Sequence, residues 1–106
     1  MDAAYLCHTN AITDPCEPTW TETANAQVLN GVSNSASTVE DCQAACFRNI
    51  SCTGVDWNPS SRDGQKCWLS GHWSGARRSR NGVTRYDIIR PPPGLNCPGI
   101  YSFLLL

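Results

Sequence analysis

No lysine or arginine occurs before Arg48. The first 47 residues hold six acids (Asp2, Asp14, Glu17, Glu22, Glu40 and Asp41), and the rest of the chain sets eight bases against three acids, so a net charge of −1 conceals a basic half. Such a split favours one basic face over a uniformly neutral surface, and net acidity argues against a nucleic-acid partner. The opening Met1-Asp2-Ala3-Ala4-Tyr5-Leu6 has neither a basic start nor an apolar core, so no signal peptide is visible. The apolar end, Ile100 to Leu106, falls far short of the roughly 20 residues that span a bilayer. The expectation is therefore a chain without a membrane span. A Cys-x-x-Cys knuckle is also missing, as are a Ser-His-Asp pattern, a carboxylate pair in a recognisable frame and a phosphate-cradling glycine loop. These absences argue against zinc ribbons, hydrolases and nucleotide enzymes, and no cofactor is expected.

What the chain does have is sulfur and indole: seven cysteines and four tryptophans in 106 residues. A domain this small buries too little apolar surface to offset chain entropy, and disulfides in an oxidising compartment are the usual compensation. We expect an extracellular module that forms part of a longer secreted, multidomain protein.

Residues 1–15 lack sustained periodicity and read as an N-terminal extension; residues 16–90 read as the domain, and 91–106 as a Pro-rich and apolar tail. In "EPTWTETANAQVLNGVSNSAST" only Trp20, Val28 and Leu29 are core candidates, which suggests one or two short strands. Ser37-Thr38-Val39-Glu40 reads as a capping box with Ser37 as the cap. The helix formers beyond it, with acids early and Arg48 late, predict a helix from about Thr38 to Arg48. Val39, Cys42 and Cys46 then share a face, which must meet the core. Strands are expected in "CTGVDWN", in "KCWLSG" and from Val83 to Ile89, with turn-rich connections between them that include "SGHWSGARRSRNG". The fold class is α+β, one helix packed on a small antiparallel sheet. Trp57 and Trp68, inside predicted strands, are read as core.

Cys42, Cys46, Cys52 and Cys67 admit three chemistries. Tetrahedral zinc is possible, with His8 or His72 as substitutes, but the spacing is not that of a knuckle. A nucleophilic thiol at Cys42 is opposed by Glu40 and Asp41, which would raise its pKa. Disulfides remain. Two thiols one turn apart on a helix need partners elsewhere, and the nearest geometry joins Cys46 to Cys52 and Cys42 to Cys67. Asn49-Ile50-Ser51 is an N-glycosylation sequon, in keeping with the secretory route.

The helical Cys-x-x-x-Cys, the third cysteine soon after it, "CTGVDWNP", "KCWLSGHWSG" and "GVTRYDIIR" together resemble the PAN/Apple domain over about Cys16 to Arg90. The resemblance implies a five-stranded antiparallel sheet curled around one helix, with Cys42–Cys67 and Cys46–Cys52 as its disulfides. In many members a further disulfide ties the first strand to the last. Here Cys16 is the first partner, but the closing cysteine is Cys97, beyond three prolines that end the sheet. Cys7 is left odd.

The resemblance also implies a non-catalytic module that binds extracellular protein or glycan. The expected binding surface is the arginine segment, with Arg77, Arg78, Arg80 and Arg85, joined by Lys66, offering guanidinium groups to a sulfated glycosaminoglycan or an acidic protein face. Trp73, between Gly71 and Gly75, is the candidate sugar platform. The alternatives are a disulfide-rich protease inhibitor-like scaffold, which needs a rigid loop bounded by cysteines, and a zinc-binding domain.

Overall fold

The computed structural model describes residues 15–94. Residues 1–14 and 95–106, with Cys7, His8 and Cys97, lie outside the described residues. Five strands and one helix run in order: β1 (Thr19–Val28), β2 (Val32–Asn34), α1 (Val39–Phe47), β3 (Cys52–Trp57), β4 (Cys67–Gly71) and β5 (Arg77–Ile89). The strands form one antiparallel sheet in the order β1-β5-β3-β4-β2. This is the α+β class expected.

The helix starts one residue later than the Ser37 cap implies. Thr38 is extended, and its hydroxyl accepts the Asp41 N–H at 3.1 Å. Thr38, not Ser37, is the cap, because the backbone turns helical only at Val39. Glu40 and Asp41 occupy the first turn, where the helix dipole favours acids. At the other end the macrodipole is met from outside the helix. The guanidinium of Arg90, just past β5, donates to the carbonyls of Phe47 at 3.1 Å, Cys46 at 3.2 Å, Asn49 at 2.8 Å and Cys52 at 2.9 Å, and lies 5.7 Å from the Phe47 ring centre. One side chain thus gives the Phe47 carbonyl a donor and adds a second to those of Cys46 and Asn49, which also accept the Asn49 and Cys52 N–H groups.

The helix buries Cys42 and Cys46 against one face of the sheet. Cys42 bonds Cys67 and Cys46 bonds Cys52, with Cα atoms 5.7 and 5.3 Å apart. Each link stabilises by roughly 2–4 kcal/mol on the chain-entropy account. Around them Cys52, Cys67 and Val55 are no more than 1% exposed, and Trp20, Trp57, Leu69, Tyr86 and Ile88 pack outside. Strict alternation would send Cys52 to the side of Gly54 and Asp56. A register shift between Cys52 and Gly54 absorbs one residue, so that Cys52 and Val55 both face the helix. Cys16 is disulfide-bonded as well, and the Cys97 proposed for it lies outside the described residues.

The turn-rich segment around the arginines is strand, a correction to the loop expected there. Arg77, Arg78 and Ser79 pair with Val28, Gln27 and Ala26, and pairing resumes with Thr84 opposite Ala24. Asn25 therefore faces the four residues from Arg80 to Val83, a wide bulge. Asn25 and Gly82 take positive φ, 55° and 87°, and the Asn25 side chain accepts the Gly82 N–H at 3.0 Å. Asn-Gly chemistry that ordinarily marks a turn here bends a ribbon within the sheet.

That bend has a geometric cause. β1 and β2 sit on opposite edges, about 19 Å apart at ordinary strand spacing, yet only Leu29, Asn30 and Gly31 join them, a reach of about 14 Å. The β1–β5 ribbon must arch over the face of the sheet that the helix leaves free. Its arrival is recorded at Val28, whose N–H donates to the Asp56 carboxylate on the central strand at 3.0 Å.

Candidate functional site

Under the arch, alternation on β3, β4 and β5 sets Asp56, Ser70 and Arg85 on the face opposite the helix, and all three are buried. Asp56 and Arg85 are direct cross-strand partners. Arg85 donates to Asp56 at 3.4 Å, to Asp87 at 3.0 Å and to the Ser70 hydroxyl. Gly54 makes this possible: a Cβ there would overlap the Arg85 guanidinium and the Tyr86 carbonyl. From the end of the arch Arg77 closes on both Asp87 oxygens, at 3.0 and 3.1 Å. Burial pushes the Asp56 carboxyl up, against the Val28 N–H and Arg85, which pull it down. Burial also works to raise Asp87, but the hydrogen bonds from Arg77 and Arg85 outweigh it and hold that carboxyl below its ordinary value.

Arg85 is accordingly removed from the binding surface expected of it: at 2% exposure its guanidinium is buried and bonded to Asp56, Ser70 and Asp87. Arg77 is committed to Asp87. Arg78 and Arg80 differ. Both are exposed, and both donate to one neutral acceptor, the Gln27 side-chain carbonyl, at 3.3 and 3.4 Å. Among the described residues the ion pairs use Arg77 and Arg85, and none uses Arg78 or Arg80. Lys66 is directed to the Pro59 carbonyl at 3.1 Å.

Beside Gln27 the arch leaves an open cleft of about 240 Å³. Gln27, Val28 and Arg80 line it from the ribbon, Asp56 and Asn58 from β3 and its end, and Trp68 from β4. The tryptophan here is Trp68, read from the sequence as core. It is half-buried on the face away from the helix, as its place next to Cys67 requires: if Cys67 faces the helix, Trp68 must face the other way. That signal was present in the alternation. The amides of Gln27 and Asn58 carried no comparable mark. Trp73 is 41% exposed and stands edge-on to His72 with ring centres 5.8 Å apart. Its indole covers Gly71, where a Cβ would overlap it, and it takes no part in lining the cleft.

The sequon lies in the exposed turn between α1 and β3. Asn49 caps the turn with its own side chain, accepting the Ser51 N–H at 3.0 Å, and the Cys46–Cys52 link closes the turn at its base. The four sulfurs a zinc site would need are consumed by disulfides, and among the described residues no cluster of three or more metal-ligating side chains exists. An inhibitor-type reactive loop loses its candidate too, because Arg77 to Ser79 are hydrogen-bonded strand. Among the described residues no helix is long and apolar enough to cross a membrane.

One helix bound by disulfides to a curled five-stranded sheet, with a polar cleft under the arch, defines a small disulfide-rich α+β module. The family model of the PAN domain matches residues 16–89, and the chain belongs to that family. PAN domains are in general non-catalytic modules that bind protein or carbohydrate, and they are typically extracellular. No curated protein and no solved structure matches the chain.

Proposed function

We propose that this chain is an extracellular, non-catalytic recognition module that binds an acidic partner, a glycan in preference to a protein face, at the cleft bordered by Trp68 and Arg80. The observation that carries the reading is the contrast within β5: Arg77 and Arg85 are neutralised by carboxylates, whereas Arg78 and Arg80 share one neutral amide oxygen at the rim of the cleft. Two guanidinium groups held together without a counter-charge suit a carboxylate or sulfate, which they can meet with paired hydrogen bonds. Trp68 adds apolar surface, as a sugar ring requires.

Secretion fits the disulfides and the sequon, and we propose that Asn49 carries an N-linked glycan, before the start of β3, whereas Asn58 of the cleft follows its end. Mass spectrometry of protein from a secretory host would read its occupancy. The binding reading is tested by heparin chromatography and acidic-glycan arrays. Replacing Arg78 and Arg80 together by Ala is expected to lower the salt needed for elution and to erase array binding; unchanged elution would remove the reading.

A further inference from the structure

We infer, building on the recognition reading above, that the cleft takes the carboxylate-bearing terminal sugar of an acidic glycan, and that the Gln27 side chain is a latch which the ligand's carboxylate displaces from Arg78 and Arg80. The hydrogen bonds from Arg78 and Arg80 to the Gln27 carbonyl are 3.3 and 3.4 Å long. Arginine–carboxylate bonds are ordinarily about 2.7–2.9 Å; on the same strand Arg77 and Arg85 reach Asp87 at 3.0 Å, while Arg85 meets Asp56 at 3.4 Å, so it is the neutrality of the shared acceptor, more than the length of the bonds, that sets Arg78 and Arg80 apart. Gln27 thus occupies the anion position without supplying the anion. A ligand carboxylate placed there gives each guanidinium a charged acceptor, and Gln27 swings away with little lost, because its amide regains hydrogen bonds from water.

Size limits the remainder of the ligand. A cleft of about 240 Å³ lies below the roughly 300–1,000 Å³ of sites for drug-sized ligands, which suits one sugar ring and not a length of polymer. Its walls suit a pyranose, with the Trp68 indole for the C–H face and the Asn58 and Asn30 amides for hydroxyls. An acidic peptide would use the arginines and leave Trp68 and Asn58 unused. Asp56, the one carboxylate on the lining, already accepts from Val28 and Arg85, so its charge is met from inside the fold.

The test titrates the full chain with methyl glucuronide, the methyl glycoside of N-acetylneuraminic acid and methyl glucoside, following indole chemical shifts and tryptophan fluorescence. Saturable binding of at least one acidic glycoside is expected, with Trp68 perturbed and no response to the neutral one. Gln27→Ala is expected to bind as tightly as wild type or tighter. Gln27→Glu, which leaves a permanent carboxylate between the arginines, is expected to weaken binding by about tenfold or more, the worth of a charge-assisted hydrogen bond. A purely structural Gln27 would make both variants equally harmful. Wild-type affinity in Gln27→Glu, or equal binding of the neutral glycoside, overturns the latch. Retained heparin binding without any monosaccharide response overturns the terminal-sugar proposal and leaves the recognition reading standing; loss of both removes the reading itself. Thermal midpoints within a few degrees of wild type would establish that the variants fold.

Discussion

The two faces of this sheet are buried by opposite means. Val55 and Asp56 are neighbours on β3, and each is almost fully shielded. Val55 lies among four half-cystines under the helix, where the bonds are covalent and the packing around them is apolar and indifferent to direction. Asp56 lies among Arg85, Ser70 and the Val28 N–H under the arched ribbon, in contacts that are ionic and directional. Apolar burial tolerates small displacements, whereas a buried charge is tolerable only while each partner stays in place. The difference explains where the cleft is. A polar face covered by a bent ribbon leaves amides, a guanidinium and an indole at its margin, and the disulfide face holds the platform beneath them.

Removing one charge from the ribbon face should have the largest effect of any single substitution. Arg85→Leu is expected to cost about 3–5 kcal/mol, because it leaves Asp56 buried without its counter-charge. Replacing Asp56 and Arg85 together by Leu should cost less than Arg85→Leu alone, since no orphan charge remains. Urea unfolding of the three proteins checks this, and an additive double variant would break the distinction drawn between the faces. On the helix face, opening Cys42–Cys67 by paired Cys→Ala substitution should cost about 3.5 kcal/mol and opening Cys46–Cys52 about 2 kcal/mol. The order reflects sequence separations of 25 and 6 residues, because the longer loop restricts the unfolded chain more.

Acid sharpens the comparison, since the disulfide core under the helix has no carboxyl to titrate and the ribbon face has two, moved in opposite directions from their ordinary value. Asp87 is held below its ordinary 3.8 chiefly because its bonds to Arg77 and Arg85 overcome the effect of burial. It therefore adds stability above pH 3.8, and that stability is lost as pH falls through the lower folded value. Asp56 is raised by burial. The folded state holds its proton more tightly than the unfolded chain, so its contribution is most favourable below 3.8 and declines as pH rises through the raised folded value. Denaturation over a pH series should show Asp87→Asn flattening the loss below about pH 4, and Asp56→Asn flattening the decline above it. Curves parallel to wild type for both variants would mean that the ribbon is not held by these charges.

The helix face was readable because its signals are local or chemically unusual. Cys42 and Cys46 fall one turn apart, caps and acids mark the helix start, and the PAN-like cysteine spacing names the partners. The ribbon face depends on register between distant strands. Nothing near Arg85 announces that Gly54, 31 residues earlier, lacks a side chain where the guanidinium passes. Asn81-Gly82 has the chemistry of a hairpin turn, and only the three-residue link from β1 to β2 turns it into a bulge within β5. Arg90 resembles any basic residue before a proline run, yet it closes the helix end. Trp68 was within reach, since strict alternation with Cys67 sends it to the cleft.

The smallest effect separates residues that hold the fold from residues free to bind. Arg77 pairs with Asp87 while half exposed, a pair of the kind that contributes about 0–1 kcal/mol. Arg77→Ala should therefore lower stability by up to about 1 kcal/mol, and more near neutral pH than below pH 3.8, where Asp87 begins to lose its charge. Arg78 and Arg80 meet only the Gln27 amide on the surface, and surface substitutions of that kind stay within about 0.5 kcal/mol. Removing both should even relieve the repulsion between two guanidinium groups held on one oxygen, so the double Ala variant is expected to unfold at the wild-type midpoint or slightly above it. A protein that keeps two like charges together with no gain to its own stability leaves the gain to a ligand. If the double variant instead proves clearly destabilised, Arg78 and Arg80 are part of the scaffold, and the binding surface must be sought elsewhere, with Trp73 the next place to look.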